Sequence, residues 1–222
     1  MTWRKAWCFL LAPAMLVLSA SSPAGAQATP MPNRDQNWGT VSSVTVATAG
    51  VLALVMPRVF YSDPEATVGW KARWHVSQLA PVMTLSMLSV LNEYALKDGI
   101  KGFRPGCDAT NTPGPNCTTY GTPSTHAFAG SAALGQGVAV WLFDMTKWSG
   151  GRFNAGSFVG NVFLPLVLAG VTDGARAAGN FENGGQIIAG SLGGVALGFL
   201  SGMTYALMAR PECGYTGNLI CW

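Results

Sequence analysis

Lys97-Asp98-Gly99-Ile100-Lys101-Gly102-Phe103-Arg104-Pro105, followed after a short Cys-bracketed loop by Gly121-Thr122-Pro123-Ser124-Thr125-His126, is the stretch on which the rest of the chain is arranged. Val76 to Leu96 before it is apolar, interrupted only near its end by Asn92 and Glu93. That pattern predicts a helix that delivers Lys97 at its end, with Gly99, Gly102 and Pro105 breaking it. After it, His126 opens a second helix-like run, A-F-A-G-S-A-A-L-G-Q-G-V-A-V-W-L-F. Ser124 stands where an N-cap belongs. A helix start offers free backbone N–H groups to an anion. Cations and a helix start therefore flank one polar segment.

Working outward, the composition is that of a membrane protein. Of 222 residues, 49% are hydrophobic and only 10% charged, against about 25% charged in soluble domains. Mean hydropathy is +0.29, and the 28 glycines suit closely packed membrane helices. Gln36 to Pro57 and Phe153 to Thr172 are charge-free runs long enough to span a bilayer, which takes about 20 residues. The last segment, Gln186 to Leu207, carries Gly190, Gly194, Gly198 and Gly202 on one stripe, a packing surface. The net charge of +3 is spread out, with no basic run or known binding module, so nucleic acid is not an expected partner.

The N-terminus begins with Arg4 and Lys5, continues through apolar Ala6 to Leu18, and reaches Ala24-Gly25-Ala26. This reads as a secretory signal over 1–26; the competing reading is an uncleaved first membrane helix. Cys107 and Cys117 bracket the turn-rich D-A-T-N-T-P-G-P-N and read as a disulfide in an exported loop. Their spacing lacks the second ligand pair of a zinc site, and no metal or cofactor is expected. Cys213 and Cys221 could bridge or stay reduced. Arg58, Lys71 and Arg73 fall in one inter-helix loop, Lys147 and Arg152 in another. Loops rich in Lys and Arg collect on the cytoplasmic side. That places Lys97–His126 and residues 173–185 together on the outer face, in an oxidising compartment.

Lys97, Arg104 and Pro105 match K-x6-R-P, and Pro123, Ser124 and His126 match P-S-G-H, with Thr125 in place of Gly. These residues resemble the first two signatures of the type 2 phosphatidic acid phosphatase and vanadium haloperoxidase superfamily. The resemblance covers about 97–190. It implies an all-α integral-membrane bundle over 27–222, with five membrane helices after the signal, or six if the signal is retained. In a bacterium the site would lie at the inner membrane, facing the periplasm. It also implies that Lys97, Arg104, Ser124, Thr125 and Arg176 bind phosphate, and that His126 protonates the leaving oxygen. Such chemistry needs cations and N–H donors aimed at the phosphoryl oxygens.

The third signature, S-R-x5-H-x3-D, is met only at its arginine. Arg176 fits; Ala175 replaces Ser, Glu182 stands where the attacking His belongs, and Gln186 where its supporting Asp belongs. His75, the other histidine, falls on the opposite face. Glu182 is thus either a variant catalytic nucleophile, since a carboxylate can form an acyl phosphate, or an internal substitute for phosphate. The expectation is a membrane protein that takes a phosphorylated lipid or other phosphate ester, with the family reaction weakened or lost. The alternatives are an active lipid-phosphate phosphatase and a soluble periplasmic acid phosphatase. Glu182 is expected to pair with Arg176 or Arg104.

Overall fold

The computed structural model describes residues 34–56, 79–112, 117–148 and 151–208. The signal region 1–26, the loop bearing Arg58, Lys71 and Arg73, His75, and the tail with Cys213 and Cys221 lie outside the described residues. The described residues are helical with irregular connections and contain no β-strand. Five long helices form: α1 (Gln36–Val55), α2 (Leu79–Ile100), α3 (Thr125–Phe143), α4 (Ala155–Ala178) and α5 (Gly184–Met208). Asp35 caps α1, its side chain accepting from the Asn37 N–H, and Ser124 caps α3, accepting from Ala127. Both are residues whose short oxygen-bearing side chains satisfy an orphan N–H.

Four of these helices, all but α3, are long and apolar enough to cross a membrane. Their outer faces expose large apolar side chains, among them Val51, Met83, Met87, Val90, Leu166 and Ile188. An apolar exterior on every side suits lipid, where the backbone must satisfy itself within each helix. The expectation of five such helices is therefore met at four. α3 spans 19 residues, but its glycines, with Gln136 and His126, lower its hydropathy. It is instead the central helix, with twelve of its nineteen residues buried and contacts to all the others.

Small residues let α3 and α5 pack backbone to backbone. A Cβ on Gly194 would meet Phe128 O and Ala132 N, and one on Gly198 would meet the Ala132 carbonyl. Gly202 faces Ala139 Cβ, and Gly135 of α3 faces Val195 O and Phe199 N of α5. The glycine stripe is thus a packing surface. Leu85 and Leu88 of α2 also pack against Phe128 and Ala132.

Two boundaries differ from expectation. α2 does not stop at Lys97: it widens into a π-helical turn over Asn92–Leu96 and then continues from Lys97 to Ile100. The stop is Lys101, left-handed at φ 53°, whose N–H closes onto Lys97 O. Gly99 lies inside the helix, because the helix cap and not the glycine sets the end. α4 runs six residues beyond Thr172, to Ala178, so Arg176 sits in its last turn and not in a loop. The helices alternate in direction. The starts of α1, α3 and α5 and the ends of α2 and α4 therefore share one end of the bundle.

Candidate functional site

At that end the polar segments between helices interlock. The Asp35 N–H donates to Gly179 O, Gly121 to Gly102 O, and Ser124 to Gln186 O. The Thr122–Pro123 peptide is cis. Cys107 and Cys117 are joined by a disulfide, their Cα atoms 5.9 Å apart. This closes the loop above the site, as the turn-rich spacing predicts.

Glu182 is the centre. Its side chain is fully buried. Arg176 donates from Nε to Oε2 at 2.9 Å and from Nη2 to Oε1 at 3.1 Å, a two-pronged pair. Ser124 Oγ donates to Oε2 at 2.5 Å, and Arg104 Nη1 reaches Oε1 at 3.4 Å. Four donors from three segments thus converge on two oxygens. Burial raises the Glu182 carboxyl, but hydrogen bonds and charge from Arg176, the Ser124 hydroxyl and the Arg104 charge outweigh it and hold it below the usual carboxylate value. The carboxylate is ionised.

The cations are held from behind. Arg176 lies over the Phe181 ring, 4.4 Å from its centroid, a cation–π contact that fixes the guanidinium plane. Arg104 donates from Nε to Thr119 O at 3.1 Å and from Nη2 to Thr119 Oγ1 at 3.0 Å. Phe181 O also accepts from Arg104 Nη1 at 3.3 Å. Gln186 does not lean on Glu182. Its Nε2 donates to Phe103 O and Thr122 Oγ1, and its Oε1 accepts from the Asn183 N–H. It ties three loop segments together.

The structure therefore brings Arg104, Ser124, Arg176 and Glu182 into direct contact, and the expected pairing of Glu182 is met by both arginines. Lys97 is buried in the same end but bonds Glu93 at 2.5 Å. Thr125 Oγ1 also donates to Glu93, at 2.6 Å. His126 is half-buried, with Nε2 3.4 Å from Ser43 Oγ of α1, and it feels the charges of Arg176, Glu182, Lys97 and Arg104. Arg34 stands at the rim, its Nη2 3.5 Å from Cys107 Sγ.

Sequence reading passed over Glu93, Phe181 and Arg34. Glu93 carried a usable signal: a carboxylate four residues before a lysine, inside an apolar helix, marks a pair with work to do. Phe181 and Arg34 carried none, because their roles exist only once distant loops meet. Compared with known proteins, the chain matches no family model, no curated protein and no solved structure. What the arrangement can do chemically must be read from its geometry. Two guanidinium groups and a hydroxyl grip one planar anion, and the same donors suit a phosphate equally well.

Proposed function

We propose that this chain is a membrane protein of the type 2 phosphatidic acid phosphatase kind, built as a five-helix membrane bundle with α3 as its enclosed member. Its anion site takes a phosphate group, carried by a lipid or another ester, and Glu182 occupies that site in the resting protein. One observation carries the reading: the Glu182 carboxylate collects the donors of Arg104, Ser124 and Arg176, three of the five residues that the resemblance assigns to phosphate. The family reaction is weakened or lost. A carboxylate whose oxygens accept four charged or short hydrogen bonds is a poor nucleophile, and its lone pairs are committed to its partners. Among the described residues His126 is the only histidine; burial and the nearby Arg176 charge push it down to about 4, so it is neutral near pH 7, and no second histidine stands ready to attack phosphorus.

The site end faces the periplasm on this reading. Its support is the disulfide at that end, which fits an oxidising compartment. Lys147 and Arg152, exposed at the opposite end, fit the cytoplasmic side.

The test is hydrolysis of lipid phosphates by purified protein in detergent. Wild type is expected to turn over slowly or not at all. Glu182→His with Gln186→Asp, which restores the family pair on the existing frame, is expected to raise turnover. Brisk wild-type turnover that Glu182→Ala abolishes would instead make Glu182 the nucleophile, and an acyl phosphate would be trapped on it.

A further inference from the structure

Lys97 is buried at the site end without touching Glu182. It is 1% exposed, and its ammonium is held by Glu93. The π-helical turn over Asn92–Leu96 is where this happens. Asn92 and Glu93 meet the start of α3 there, while Tyr94 stands exposed. Asn92 Nδ2 donates to Thr125 Oγ1 at 3.2 Å, and Thr125 Oγ1 in turn donates a hydrogen bond to Glu93 Oε2. Asn92 is fully buried and its Oδ1 has no partner among the described residues. Such wide turns recur at functional sites. Glu93 is more open, with its side chain 27% exposed, and it lies within electrostatic range of Arg104. Lys97 nevertheless lies within electrostatic range of Arg104 and Glu182, so the pair belongs to the same cluster.

The charge balance then has a consequence. Lys97, Arg104 and Arg176 face Glu93 and Glu182. If an anion displaces Glu182, Glu93 still cancels Lys97, and the two guanidiniums remain to be matched, with Arg34 at the rim. A single phosphate group carries about −1.5 to −2 at neutral pH and matches two guanidiniums. A diphosphate brings a second charged group toward a lysine already neutralised and toward the Glu93 carboxylate itself. We propose that Glu93 is a specificity residue that, by neutralising Lys97 and standing at the site, makes this site select a single phosphate group over a diphosphate. The proposal rests on the anion-site reading above.

The test is binding of inorganic phosphate and pyrophosphate to detergent-purified protein carrying Glu182→Ala, which opens the site. Phosphate is expected to bind at least as tightly as pyrophosphate. Adding Glu93→Gln frees the Lys97 charge, and a unit charge roughly 10 Å from a second phosphate is worth about tenfold at an effective dielectric near 20. The ratio of pyrophosphate to phosphate affinity should therefore rise by roughly threefold or more. Adding both Glu93→Gln and Lys97→Met removes both charges and should leave the ratio as it was. That neutral pair guards against a folding defect in the single change, since a buried lysine is not then left alone. Micelles doped with phosphatidic acid, against phosphatidylcholine, distinguish the source: displacement of bound phosphate indicates a lipid-borne group and retention the free ion, with the same dependence on Glu93. An unchanged ratio in the Glu93→Gln protein overturns the role of Glu93 alone. Failure of the Glu182→Ala protein to bind either anion overturns the anion-site reading and this inference with it.

Discussion

Ser124 does two jobs with one oxygen. It accepts from the Ala127 N–H as the cap of α3 and donates its own proton to Glu182. Ser124→Ala should therefore cost more than the usual ~1 kcal/mol of a lost cap, because a hydrogen bond to a charged group, worth about 1.5–3 kcal/mol, goes with it. Chemical or thermal denaturation of the variant checks this; a loss no larger than an ordinary cap would mean that the Glu182 contact is idle. Glu182 itself gives a pH signature. Its folded-state value lies below the ordinary 4.5, so the stability it contributes is complete above about 4.5 and is lost as pH falls through the lowered folded value. A Glu182→Gln protein should lack that acid-limb loss. Melting temperatures across pH 2.5–7 for both proteins, roughly the window of linkage for such a group, would show two converging curves at the acid end; parallel curves would argue against an ionised, paired Glu182.

The helices show how far the sequence could be read. The α3–α5 seam was legible because glycines at every fourth position mean close approach whatever the partner. It makes a clean prediction. Gly194→Val forces a side chain into Phe128 O and Ala132 N and should destabilise by about 1–3 kcal/mol or prevent folding. Gly170 on α4 has open space around its Cβ position, so Gly170→Ala should be neutral or gain up to ~1 kcal/mol; equal losses at both sites would contradict the packing described. The segments of α1, α2, α4 and α5 were legible from apolar length alone. The ends were not. Lys101 stops α2 by adopting a left-handed conformation that its residue type does not announce, and the π-helical turn at Asn92, which bonds Thr125 of α3, has no mark in the apolar pattern. α3 was read correctly as a helix but not as the enclosed one, since enclosure depends on what packs around it. In the site, the resemblance carried by the motifs pointed to Lys97, Arg104, Ser124, Thr125, His126, Arg176 and Glu182. They could not show that Lys97 belongs to Glu93 while Glu182 belongs to the arginines, because that division is made by side-chain reach across the folded end.

At the scale of the molecule, a bundle of apolar helices carries a polar end built from the residues before α1 and the α2–α3 and α4–α5 connections. The Cys107–Cys117 bridge anchors one of them, beside Arg34 and below Thr119, the residue that holds Arg104. Opening that bridge with paired serines should cost about 2–4 kcal/mol by releasing a short loop in the unfolded chain. It should also loosen Arg104 more than Arg176, which is fixed on α4 and over Phe181. The same polar end is closed electrostatically by Glu182. Removing one partner of a buried ion pair costs about 3–5 kcal/mol because the other charges are left uncompensated. Two arginines without their carboxylate should recruit any anion that fits. The measurement that bears most directly on this account is the melting temperature of detergent-purified wild type and Glu182→Ala, each with and without inorganic phosphate. The account predicts that wild type is indifferent to phosphate and that Glu182→Ala melts lower. Phosphate at about 100 times its dissociation constant should then restore roughly 2.7 kcal/mol to the variant, a rise of several degrees for a chain of this size. A variant that melts low and ignores phosphate, or a wild type that responds as strongly as the variant, would contradict it.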